Sequence, residues 1–147
     1  YEVPVSFELD RQNHLSIKTK NQKDIPILKN EHPNVKKLIS RMDSNFANDD
    51  YTGVLHASAS VYETIVKDIS GEPKFQKMSL GQILNDSQFS LNIPEQIIDY
   101  IREIFKKRNT IPTAGHGGTS IPTITKKEAI AIQEFTKAIV RVLRKIV

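Results

Sequence analysis

The sequence contains no cysteine, which excludes disulfide staples and thiolate metal sites and fits an intracellular, cytoplasmic protein. No apolar run approaches membrane-spanning length and no signal peptide is visible, so a membrane is not an expected partner. Internal repeats and low-complexity stretches are absent as well. There is no G-x-S-x-G nucleophile elbow and no G-x-x-x-x-G-K-[ST] phosphate loop, which removes two common catalytic frameworks. No H-E-x-x-H occurs, and His14, His32, His56 and His116 lack the pairwise spacing of metal ligands. Chemistry without metal or cofactor is therefore the expectation.

What remains is an ordinary composition, 38% hydrophobic and 26% charged over 147 residues, enough for one domain with a core of its own and at most a small appendage. The net charge of +4 is unevenly placed. Residues 1–100 carry a net −3, whereas residues 101–147 hold 10 basic and 3 acidic side chains. A basic final third suits an anionic partner such as nucleic acid, although a solvated lysine-rich helix face gives the same count. The chain opens at Tyr1 in strand-like sequence, and we expect it to be a piece of a longer protein.

Hydrophobic periodicity divides the chain in two. In "VPVSFELDRQNHLSIKTK", Val3, Val5, Phe7 and Leu9 share one face, a polar turn follows, and Leu15 and Ile17 resume the pattern. Residues 1–30 are expected to form a β-hairpin appendage, or the tail of an upstream region, with "IPIL" at 25–28 as a third short strand. Residues 31–147 change to helical spacing. Val35, Leu38, Ile39, Met42 and Phe46 mark the first helix, and a second runs from Asp50 to Ile69 until "SGEP" stops it. "SLGQIL" predicts a short helix capped by Ser79. The next helix starts near Pro94, placed in its first turn, and runs to the basic end Lys106, Lys107 and Arg108. The last opens on "TKKE", a Thr125–Glu128 capping box, with Ile132, Phe135, Ile139, Val142, Leu143 and Ile146 on its inner face. The expected fold is mainly α: an antiparallel bundle of four long helices plus a short one.

The stretch "KKRNTIPTAGHGGTS" joins the last two long helices and carries the densest chemistry. Arg108 at a helix end is favoured by the dipole, Asn109 serves as a helix stop, and Gly115, Gly117 and Gly118 turn the chain. His116 has no such structural task. An imidazole between glycines admits a closely approaching ligand and exchanges protons near neutrality. A guanidinium beside it matches phosphate oxygens and stabilises charge developing on phosphorus. Arg108 and His116 together therefore point to phosphate chemistry. On the second helix, Glu63 and Lys67 have the spacing of an ordinary i,i+4 pair, worth a few tenths of a kcal/mol. Tyr51 and Tyr100 are base-stacking candidates whose simpler role is packing.

With "RNTIPTAGHGG" closing one helix before another and "ASASVYETIVKDI" about fifty residues earlier, residues 33–147 resemble the abortive-infection C-terminal domain family of the HEPN superfamily. That family's hallmark is an arginine, a polar residue, a short loop and a histidine, with an upstream Glu-x-x-x-Lys matched by Glu63 and Lys67. Seven residues separate Arg108 from His116 here, more than the usual four to six. The resemblance implies a metal-independent endoribonuclease of an anti-phage or toxin-type protein, governed by an upstream sensor domain. It also implies a homodimer in which two Arg–His loops share a cleft. His116 would move the proton, Arg108 clamp the scissile phosphate and Asn109 orient the loop or the 2′-OH. Lys106 and Lys107 would draw in the RNA backbone, with Glu63 and Lys67 supporting the site. The alternative is a non-catalytic helical module for RNA binding or dimerisation, and a third reading is a phosphate-gripping nucleotide-binding domain.

Overall fold

The computed structural model describes residues 5–9, 15–19, 29–111 and 124–147. Two strands, β1 (Val5–Leu9) and β2 (Leu15–Thr19), pair antiparallel with Phe7 opposite Ile17. The expected strand at 25–28 lies outside the described residues.

Five α-helices follow, and most of their boundaries are set by side chains. In α1 (Pro33–Ala47), Pro33 occupies the first turn and His32 caps it, its Nδ1 accepting from the Asn34 N–H at 3.1 Å. Residues 48–50 reverse the chain, with Asp49 at φ 58, a left-handed conformation that a short Asp side chain tolerates. Asp50 then caps α2 (Tyr51–Ser70) by accepting from the Gly53 N–H at 2.8 Å. Gly71, at φ 63, ends α2 in the left-handed conformation that only glycine adopts freely. A 3₁₀ turn (Pro73–Lys77), not anticipated from sequence, buries Phe75. It leads into α3 (Leu80–Leu84), whose Ser79–Gln82 capping box is complete.

Pro94 stands one position outside its expected place. Its ψ of 133 is extended, so it precedes α4 (Glu95–Thr110) and supplies only the carbonyl that Ile97 and Ile98 donate to. Helix α5 (Lys126–Ile146) starts at the Thr125–Glu128 box as the sequence indicates.

Side-chain pairs fix how the helices run. Asp43 meets Lys137, and Glu31 meets Arg144, so α1 is antiparallel to α5. Tyr100 meets Phe135, and Lys107 meets Glu128, so α4 is antiparallel to α5 as well. Ser58 reaches Thr136 while Asp68 reaches Arg144, which leaves α2 and α5 parallel on the diagonal. The result is an up-down-up-down bundle. Helix α2 is its centre: Val54, Leu55, Ala59, Val61, Tyr62, Ile65 and Val66 are all fully buried. Small side chains let α2 and α5 approach there, and their hydroxyls pair. Ser58 Oγ lies 2.6 Å from Thr136 Oγ1, the Tyr62 hydroxyl donates to the same oxygen at 3.2 Å, and Thr136 donates to the Ile132 carbonyl.

The α5 pattern departs from expectation. Phe135 is 53% exposed and Ile146 41% exposed, so neither lies on the inner face. The core side of α5 is instead carried by Ala129, Ile132, Thr136, Val140 and Leu143. The apolar stripe is wider than the contact that α2 and α4 provide. Among the described residues, no helix is long and apolar enough to cross a membrane.

Candidate functional site

One end of the bundle gathers the C-termini of α1 and α4 and the N-termini of α2 and α5. The expected site belongs here. Arg108 lies half-buried in the last turn of α4 and makes no ion pair among the described residues. Asn109 is exposed but does not stop the helix, which continues through Thr110, whose hydroxyl donates back to the Lys107 carbonyl at 3.0 Å. His116, Gly115, Gly117 and Gly118 lie outside the described residues.

Lys106 is exposed. Lys107 is already engaged, donating to Glu128 Oε1 at 2.7 Å and tying the end of α4 to the start of α5. The Lys107 ammonium and the Thr125 donors hold the Glu128 carboxyl down at about 2. Glu63 and Lys67 form their i,i+4 pair at 2.7 Å, and Lys67 also donates to the Gln76 carbonyl at 3.4 Å. Glu63 therefore meets Lys67 and not Arg108. The pair lies on the same face of α2 as His56 but about two turns away, on the order of 10 Å along the axis. Tyr51 donates to Asp49 at 2.7 Å. Tyr100 packs edge-on against both Tyr62 and Phe135, with burial pushing its hydroxyl up to about 12.

Between α1 and α2 the same end opens into a cleft of about 380 Å³ that the sequence had not marked. Arg41, Asn45, Asp50, His56 and Ser60 form its polar lining, and Leu38 and Ala57 its apolar part. Gly53 makes the floor: a Cβ there would stand 2.1 Å from Asp50 Oδ2 and 2.6 Å from Asn45 Nδ2. His56 is the unusual member. Its Nε2 is shielded from solvent and has no hydrogen-bond partner. Burial pushes the imidazole pKa down, and the charges of Arg108 and Arg41 push it further, against the opposing pull of Asp50. The neutral form of the ring is thereby favoured. In sequence, His56, Ser60, Glu63 and Lys67 can be read as one polar stripe of α2 opposite its apolar face. What the sequence did not reveal is that α1 and α4 bring arginines to the upper end of that stripe.

Among the described residues, no group of His, Asp and Glu is arranged to hold a metal ion. Comparison of the chain with protein-family models, curated proteins and solved structures finds no match in any of the three.

Proposed function

We propose that the chain is a metal-independent endoribonuclease module of the HEPN type, part of an abortive-infection or toxin-type defence protein acting in the cytoplasm. The observation that carries this reading is the position of Arg108. It is a half-buried guanidinium at the end of α4, without an ion pair among the described residues, and His116 of the GHGG sequence follows eight positions on. Breaking an RNA phosphodiester by attack of its own 2′-OH requires a base for that proton and an acid for the 5′ leaving oxygen. In this reading His116 supplies proton transfer, Arg108 holds the phosphate and Asn109 orients the loop. Two copies of the loop, facing each other across a homodimer, provide the two protonation states at once. Lys106 guides the RNA backbone, Lys107 contributes less because Glu128 already holds it, and Glu63–Lys67 braces α2 behind the site.

The decisive experiment incubates the protein and its His116→Ala variant with labelled RNA in EDTA. Cleavage by the first alone, leaving 2′,3′-cyclic phosphate and 5′-hydroxyl ends, is the expected outcome. Cleavage abolished by chelation, or retained by the variant, overturns the scheme. A second reading, a non-catalytic module for dimerisation or RNA binding, draws on the exposed Ile130, Phe135 and Ile146 of α5. Growth arrest on expression, relieved by His116→Ala, favours the nuclease; equal behaviour of both proteins favours the interaction module.

A further inference from the structure

The cleft between α1 and α2 plays no part in the reaction proposed above, whose His116 lies outside the described residues. Three features of it need a common explanation. The first is charge. Of the arginines in the described residues, Arg102 is held by Glu95 and Asp99, and Arg144 by Glu31 and Asp68. Arg41, Arg108 and Arg141 have no such carboxylate among the described residues, and of these Arg41 and Arg108 both act on one imidazole. Two guanidiniums with no ion pair among the described residues both make the surroundings of one half-buried ring more positive, and an anion beside it offsets that charge. The second is the orphaned His56 Nε2. A shielded polar atom left unpaired is unfavourable, and a ligand that pairs with it removes that cost. The third is room: about 380 Å³ is the size of a small-ligand pocket and far more than a water needs.

We propose that this cleft is a phosphate-binding subsite, taking one phosphate of a nucleotide or of an RNA strand between Arg41 and His56, within the field of Arg108. Arg41 supplies the guanidinium fork and the Asn45 amide a neutral donor. A tetrahedral phosphate accepts from groups on two helices at once, whereas a planar carboxylate is satisfied by one fork. The single acid of the lining, Asp50, is already committed to the Gly53 N–H and sits at the positive end of α2, so its charge opposes the anion least where it stands. A bound phosphate reverses the bias on His56. The groups facing the ring are Arg41 from α1, Asp50 at the head of α2 and Arg108 from α4, and a phosphate adds to the negative charge of Asp50, so that the two together offset the two cations. The imidazole then takes up a proton and donates to the ligand. The RNA strand as source rests on the nuclease reading; phosphate binding itself does not.

The test follows the His56 ring by NMR, its signals assigned with His56→Gln, while inorganic phosphate, adenosine 5′-monophosphate or a short 2′-O-methyl RNA is added. Saturable movement of the His56 signals, with its titration midpoint rising, is expected. Arg41 is exposed, so Arg41→Ala keeps the fold and weakens binding about tenfold or more, equivalent to the loss of about 1.4 kcal/mol. Arg141→Ala, which removes an equal charge from α5, leaves affinity unchanged. No response of His56 to any of the three probes overturns the proposal, and so does an equal effect of the two arginine variants. Tighter binding of the RNA, sensitive to Arg108→Ala, assigns the phosphate to a strand; equal binding of the mononucleotide assigns it to a free nucleotide. A His56 response with ordinary RNA left uncut removes the nuclease reading and spares this one. Cleavage without any His56 response does the reverse.

Discussion

Glu31 is a buried carboxylate with its side chain fully out of solvent, and its partner Arg144 reaches it from the opposite end of the sequence. Burial by itself raises such a carboxyl, but the hydrogen bonds from Arg144 and the His32 N–H, together with the Arg144 charge, bring it below its ordinary value of 4.5. A carboxylate depressed in the folded state contributes stability above its unfolded pKa and loses that contribution as pH falls through the folded one. Arg144→Ala leaves the carboxylate buried and unpaired, at a cost of roughly 3 kcal/mol at neutral pH. In that variant burial and the Asp68 charge are opposed only by the His32 N–H, the Glu31 pKa rises, and acid relieves the strain. Urea unfolding across pH should therefore show the gap between variant and parent narrowing as pH falls from the variant's raised Glu31 pKa, above 4.5, to the parent's lowered one, below it. A constant gap would mean that Arg144 acts through packing alone. Gly53 offers a second residue-level test. Alanine there adds helix propensity worth up to about 1 kcal/mol but displaces the Asp50 cap, worth about the same. Gly53→Ala is thus near neutral, and Asp50→Ala, costly in the parent, becomes almost silent in the Gly53→Ala background. A double-mutant cycle with no coupling energy would refute that account.

At the scale of the element, the signals that proved readable were local ones. The Thr125–Glu128 box, the Ser79 cap and the stop in "SGEP" at 70–73 each depend on residues within one turn, and each stands where the sequence puts it. Pro94 was displaced by one position because its fixed φ serves equally before a helix and within its first turn. Phe135 and Ile146 were misassigned for a different reason. A helical apolar stripe shows which faces avoid water, and only the neighbours decide how much of it they cover. Likewise the sequence does not single out His56, since the charges acting on it come from Arg41 and Arg108 on two other helices. The distinction has an energetic consequence. Phe75, 1% exposed under the 3₁₀ turn, should lose about 3–5 kcal/mol on truncation to alanine. Phe135, 53% exposed and held chiefly by its edge contact with Tyr100, should lose only about 1 kcal/mol. Denaturant midpoints at equal slope measure both, and a Phe135 loss comparable with that of Phe75 would show that α5 is covered in solution.

Over the whole molecule, charge is sorted by sequence position as well as by structure: the final 47 residues carry a net +7 against −3 in the first 100. Much of that excess is already tied within the bundle, because Lys107, Lys137 and Arg144 each hold a carboxylate from another element or another turn of the chain. Formal charge therefore overstates the field offered to an RNA backbone, and counterion release discriminates between a lysine that is free to neutralise a phosphate and one that is not. The logarithm of affinity for single-stranded RNA falls against the logarithm of salt by about 0.7 for each phosphate neutralised. Lys106, exposed on α4, should account for close to one such contact, so Lys106→Ala lowers the slope by about 0.7. Lys107 must first leave Glu128, 2.7 Å away, and its alanine variant should change the slope by distinctly less. Glu128→Gln should then release Lys107 and restore the missing part of the slope. Fluorescence anisotropy over a salt series reads all three variants on one RNA. Equal slopes for Lys106→Ala and Lys107→Ala would mean that the ion pair at the head of α5 opens freely, and that the basic end of α4 meets RNA as an undifferentiated patch.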